Sequence, residues 1–133
     1  MVNWTEAELR EEGYIIENAH IDSVDLSMED HGQLFLKMVI SSGGWGCVCG
    51  CSTLGFGYLG SKSFRGVTKA TEYLMRIMDV VGVSKFNDLP GHYIRVASAR
   101  HSSGIRTFGN IIEDKWFDEP SFWEDGDFDE PKH

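Results

Sequence analysis

The chain lacks the marks of several large protein classes. No apolar run approaches the roughly 18 residues of a membrane span, and no charged-then-apolar leader opens the sequence. A soluble cytosolic protein with no membrane partner is expected. There are only three cysteines, an odd number crowded at positions 47, 49 and 51. That count and spacing exclude a disulfide framework. No internal repeat is visible, and no G-x-S-x-G nucleophile elbow. Positive charge is in deficit: 12 Lys and Arg stand against 21 Asp and Glu, for a net charge of -9.

What is there suits one globular domain. A chain of 133 residues buries a core without covalent staples, and 41% hydrophobic with 25% charged residues is ordinary for such a domain. The acidity is confined to the ends. Residues 1–13 carry -3, residues 14–115 carry 0 and residues 116–133 carry -6. Between them, residues 60–106 carry +5, from Lys62, Arg65, Lys69, Arg76, Lys85, Arg95, Arg100 and Arg106 against three acids.

The chain opens with helix grammar. Thr5 and Glu8 form a capping box, Trp4 and Leu9 a hydrophobic staple, and Gly13 a left-handed stop. Such a short helix must dock on something. From Tyr14 the pattern turns to strands. Residues 14–26 and QLFLKMVI (33–40) flank a turn at MEDHG (28–32), and WGCVCGCST (45–53) begins a third strand. Residues 55–66 read as loop. Val67, Ala70, Leu74, Ile77 and Val81 then repeat at helical spacing, and Gly82 ends the helix. HYIRVASAR (92–100) and IRTFGNII (105–112) are the last two strands, around a loop at 101–104. The fold class is therefore α+β: an antiparallel sheet of about five strands with one main helix on one face. A short N-terminal helix (1–13) precedes the domain (14–115), and an acidic, aromatic tail (116–133) without periodicity follows it.

The stretch GGWGCVCGCSTLGFGYLG (43–60) is the most unusual in composition. Cys47, Cys49 and Cys51 alternate, so on a strand they share one face, and their Cα atoms step by roughly 6.8 Å. Thiolates on one zinc sit within roughly 4 Å of each other. The spacing argues against a metal, and none is expected. GFGYLG (55–60) matches G-x-G-x-x-G as letters, but no helix follows at once. As a plain strand, the segment puts Trp45, Cys47, Cys49, Cys51 and Thr53 on a core face. Gly44, Gly46, Val48, Gly50 and Ser52 then form a nearly bare face, which suits close approach by a second subunit, a ligand or the N-terminal segment.

Several segments together are similar to a family of small proteins encoded by tailed bacteriophages and prophages. They are MEDHG, the Gly-rich strand, VVGV, DLPGHYIRV and GNIIEDKWFD, spanning roughly residues 17–120. The Gly-rich strand of that family more often reads GxGQGFGGY, and cysteines stand at several of those positions here. The resemblance implies a phage accessory protein acting in the host cytoplasm. It implies no catalytic residue and no cofactor.

Residue chemistry agrees with a non-catalytic role. Glu29, Asp30 and His31 read as a turn, and no nucleophile–base pair is spaced for catalysis. Three binding readings follow. In the first, the chain inhibits or redirects a host protein of nucleic-acid processing or anti-phage defence. The tail residues Trp116, Phe117, Asp118, Glu119, Phe122, Trp123, Glu124, Asp125 and Phe128 would be its anchors. In the second, Arg95, Arg100 and Arg106 with Tyr93 and Phe108 hold single-stranded nucleic acid by charge and stacking, with the acidic tail as regulator. In the third, Arg65 or Arg95 beside the bare glycine face captures a nucleotide at the seam of a multimer. A homodimer through the glycine-rich or edge strands is compatible with each.

Overall fold

One strand of sixteen residues organises the protein. In the computed structural model, which describes residues 1–29, 31–57, 63–99 and 104–124, β1 runs from Tyr14 to Glu29. Its first half pairs with β5 (Tyr93–Ala99) and its second half with β2 (Gln33–Ser42). His20 is the hinge residue, paired with both Tyr93 and Ser41. The sheet also contains β3 (Trp45–Phe56), β4 (Arg65–Gly66), β6 (Thr107–Gly109) and β7 (Trp116–Asp118). All pairings are antiparallel, in the order β4-β3-β2-β1-β5-β6-β7. The helices are α1 (Glu6–Glu11), α2 (Ala70–Val81) and α3 (Glu119–Glu124), with a single 3-10 turn at Phe86–Asp88.

The α+β class and the antiparallel sheet stand. Among the described residues the strand count rises from about five to seven, and a further short helix, α3, joins the expected N-terminal helix and main helix. The extra strands arise where local chemistry overrides the pattern. The expected strand 105–112 stops at Gly109, because the side chain of Asn110 accepts hydrogen bonds from the amides of Ile112 and Glu113, both at 2.9 Å. That Asx turn reverses the chain, so 116–118 returns as β7 against β6. Arg65 and Gly66 pair with Phe56 and Gly55. Val67, expected in the helix, instead donates its amide to the Leu54 carbonyl at 2.9 Å, so α2 starts at Ala70. Gly82 does end α2, in the left-handed conformation at φ 93°.

The two faces of the sheet carry different cores. On one, Tyr73, Ile77, Val80 and Val81 of α2 pack with Ile21, Leu36, Met38, Ile94, Phe108, Phe117 and Phe122. Helix α2 reaches both Gly50 of β3, where an added Cβ would lie 3.8 Å from Ile77 Cδ1, and Phe117 of β7, whose ring centroid lies 5.5 Å from that of Tyr73. Five strand spacings of about 4.8 Å separate β3 from β7 in a flat sheet, roughly 24 Å, about twice the width of a helix. The sheet therefore curls around α2. On the outer face, α1 covers only one end: Leu9 packs with Ala97 and Trp116, flanked by Trp4, Tyr14 and Ile16. Its capping box is formed, with Glu8 N donating to Thr5 Oγ1 at 3.2 Å and Thr5 N to Glu8 Oε1 at 2.9 Å.

Candidate functional site

Among the described residues, the C-terminal aromatics belong to the folded body. Trp116, Phe117, Asp118, Glu119 and Phe122 are all buried, as parts of β7 and α3. Trp123 is half-buried and stacks on Tyr73 at 5.0 Å. The acids here are internal too. Thr107 Oγ1 donates to Asp118 Oδ1 at 2.7 Å, and the Ser121 amide to Oδ2 at 3.2 Å, so Asp118 caps α3. The Tyr73 hydroxyl donates to Glu119 Oε2 at 2.9 Å. Lys69 donates to the Phe122 carbonyl and lies 4.0 Å from that ring's centroid. The expectation of surface anchors at Trp116, Phe117, Asp118, Glu119 and Phe122 is thus corrected. Interspersed acids disguised a segment whose aromatics complete the core. Glu124 is exposed, while Asp125 and Phe128 lie outside the described residues.

The residues expected to hold single strands are largely engaged within the protein. Phe108 is fully buried between the sheet and α2, so it offers no base a stacking surface. Arg95 has a side chain only 13% exposed. Its Nε donates to the Asn110 carbonyl and its Nη2 to the Glu113 carbonyl, each at 2.8 Å, while Nη1 pairs with Glu6 of α1. Its guanidinium lies 4.9 Å over the Trp116 ring. Arg95 therefore fastens α1 and the Asx turn to the outer face. Arg106 approaches Glu119 at 3.9 Å from an exposed position. Tyr93 is 57% exposed, edge-on to His20, and Arg100 lies outside the described residues.

Strand β3 departs from its expected alternation at Gly50. This residue has φ 59° and is the extra residue of a bulge between the Cys49–Met38 and Ser52–Leu36 pairs. After it, Ser52 and Leu54 turn inward, where Cys51 and Thr53 were expected. The cysteines therefore do not share one face. Burial pushes all three thiols above their ordinary pKa, most strongly the fully enclosed Cys49, which keeps them protonated and weakly nucleophilic at neutral pH. Among the described residues no three His, Cys, Asp or Glu side chains converge as metal ligands. The bare outer face persists at Gly44, Gly46 and Val48. The N-terminal segment does not cover it, since α1 sits over β5 and β7.

The end of β3 builds a cleft. Gly55 lets β4 lie close, since an added Cβ would meet the Arg65 carbonyl oxygen at 3.0 Å. Gly57 admits the Phe64 ring, whose Cδ1 would lie 2.5 Å from such a Cβ. These contacts, not a phosphate, account for the two glycines of GFG (55–57). Against the paired ends of β3 and β4, at this edge of the sheet, lies a cavity of about 250 Å³. Met28, Leu34 and Leu54 line its apolar part, Phe56 and Phe64 its aromatic part, and Arg65 its charged part. The Arg65 guanidinium carbon sits 5.8 Å from the Phe56 ring centroid. Phe64 is 62% exposed. Of these residues the sequence marks Arg65 as a candidate ligand contact, and Phe56 only as part of GFGYLG. Phe64, an aromatic directly before Arg65, is the available signal.

A second cavity, of about 420 Å³, lies at the β1 hinge, lined by Asn18, His20, Ser41, Ser42, Gly43 and Tyr93. The bulge at Asp22 brings its carboxylate to His20 Nδ1 at 2.6 Å, and Ser41 Oγ donates to the same oxygen at 3.0 Å. These bonds, the His20 one first, hold the Asp22 carboxyl below its ordinary range. The serine donates to the aspartate, so the three do not form a nucleophile–base relay. His20 and Asp22 stand two apart, a spacing that on a strand places both on one face.

This geometry defines an α+β protein with a curled antiparallel sheet, an aromatic cleft at one edge and a histidine–aspartate pair at its hinge. No family model, no curated protein and no solved structure matches the chain. No helix among the described residues is long and apolar enough to cross a membrane.

Proposed function

We propose that the chain is a non-catalytic phage accessory protein of the host cytoplasm. It captures a nucleotide-class ligand, a flat ring bearing a phosphate, in the cleft against the paired ends of β3 and β4. The observation that carries this reading is an apolar cavity with Phe56 and Phe64 on its walls and the Arg65 guanidinium over one of them. A base stacks on such rings whatever its sequence. A guanidinium takes a phosphate through two parallel hydrogen bonds. The cavity is smaller than whole-ligand pockets, which span about 300–1,000 Å³. The ring alone therefore enters, and the sugar-phosphate lies along Arg65. The accessory role rests on the resemblance of residues 17–120 to phage proteins.

The other two binding readings have less support. Docking of a host protein on the acidic aromatic segment needs Trp116, Phe117 and Phe122 at the surface, and all three are in the core. Capture of single strands needs Arg95 and Phe108, and these are held by α1, the Asx turn and α2.

The test is titration calorimetry of the full chain with adenosine monophosphate, with adenosine as the phosphate-free control. Saturable binding is expected, about tenfold weaker for adenosine or for Arg65→Gln. Phe64→Ala should weaken it by about 1–3 kcal/mol, the worth of one stacked base. Absence of saturable heat with the adenine, guanine, cytosine and uracil monophosphates at millimolar concentration would contradict the reading.

A further inference from the structure

Strand β3 is paired with β2 along its length, but on its other side β4 reaches only Gly55 and Phe56. The Val67 amide satisfies the Leu54 carbonyl beyond them. Among the described residues, positions 45–53 have no backbone partner on that side. Edge strands in folded proteins are guarded by Lys, Pro, charge or a bulge. Here the bulge at Gly50 guards 50–53, leaving Trp45–Cys49 straight, uncharged and free of proline.

We propose that two copies of the chain join by antiparallel pairing of Trp45–Cys49 about a two-fold axis at Cys47. A two-fold brings the same strand to itself in the antiparallel sense, and full pairing of these five residues fixes the register. In that register Val48 lies opposite the partner's Gly46, on the shared outer face. Val48 is 43% exposed and Gly46 is exposed without a side chain, so one copy's knob meets the other's gap twice. Trp45 faces the partner's Cys49, and the two Cys47 residues meet at the axis. Charge permits the contact. Residues 14–115 are net neutral, and the acidic α1 packs over β5 and β7, at the other end of the strand order. A short edge contact of this kind makes a weak, concentration-dependent dimer. This proposal stands independently of the ligand reading.

Sedimentation equilibrium of the full chain tests it. The mass should rise from 15.0 kDa toward twice that value across the micromolar range. Val48→Lys sets two like charges beside the axis and should weaken association at least about tenfold, while Val48→Thr leaves it within about twofold. Diamide, which takes the two thiol hydrogens as the S–S bond forms, should trap a covalent dimer. Directly opposed Cα atoms of an antiparallel pair stand about 4.5–5.5 Å apart, within disulfide range. Cys47→Ser should abolish the trapped species. A wild-type mass fixed at 15.0 kDa at the highest concentration, undiminished association of a folded Val48→Lys, or a trapped dimer that survives Cys47→Ser would each overturn the proposal. If Val48→Lys does not fold, the Cys47 trapping result decides alone.

Discussion

The hydroxyl of Tyr73 donates to Oε2 of Glu119 at 2.9 Å, joining the first turn of α2 to the first residue of α3 inside the core. Both groups are buried, and the bond closes the C-terminal segment over the helix. Tyr73→Phe removes the donor and leaves a buried carboxylate under-satisfied. The expected cost is about 1–3 kcal/mol, read as a lower urea midpoint with an unchanged slope. An unchanged midpoint would mean that the bond contributes nothing.

Glu119 itself gives a pH dependence. Burial raises its pKa above 4.5, opposed by the Tyr73 hydrogen bond and by Arg106. The folded state therefore holds this proton more tightly than the unfolded state does. The stability it contributes is fully present below the ordinary carboxylate range and is lost as pH rises through the raised value. Glu119→Gln lacks that loss. Its stability relative to wild type should climb from about pH 4.5 upward and level off once Glu119 is ionised in both states. Denaturant melts of the two proteins from pH 4 to 8 check this, and a gap independent of pH would contradict it.

Gly109 faces Trp116 across the β6–β7 pair, where an added Cβ would sit 2.5 Å from the indole Cε3. Gly109→Ala must displace the indole or the Lys115 backbone behind it. A loss of about 1–3 kcal/mol is expected, with altered near-ultraviolet circular dichroism as Trp116 reorients.

Arg95→Gln tests whether one side chain holds α1 in place. The variant removes the pair with Glu6 and the cover over Trp116. Six residues do not sustain a helix alone. Amide exchange across Glu6–Glu11 should accelerate by at least about tenfold, matching the 1.5–3 kcal/mol of a charge-assisted bond, while α2 remains protected. Equal exchange in the two proteins would show α1 held without Arg95, by Leu9 packing and the 2.7 Å bond from the Glu6 amide to Asp114 Oδ1.

Where local signals acted alone, the sequence could be read directly. The Thr5–Glu8 box, the Gly82 stop and the hairpin around Gly32 follow from side-chain chemistry within a few residues, and all three formed. What escaped depends on distant partners. Gly50 reads as one more small residue, yet its positive φ shifts the face of residues 51–54. Asn110 looked like part of a strand until its side chain captured two amides. Asp118 and Glu119 suggested solvent, yet Thr107, Tyr73 and the Ser121 amide supply their hydrogen bonds from within the fold. The cleft needed β4, a two-residue strand too short to leave a pattern.

Chemical-shift mapping of adenosine monophosphate on the isotopically labelled full chain tests the central claim most directly. The account predicts saturable shifts concentrated at the amides of Leu34, Gly55, Phe56, Phe64, Arg65 and Gly66, the residues around the cleft. Shifts centred instead on His20, Ser41 and Tyr93 at the hinge cavity, or no saturable shift at any amide, would contradict it.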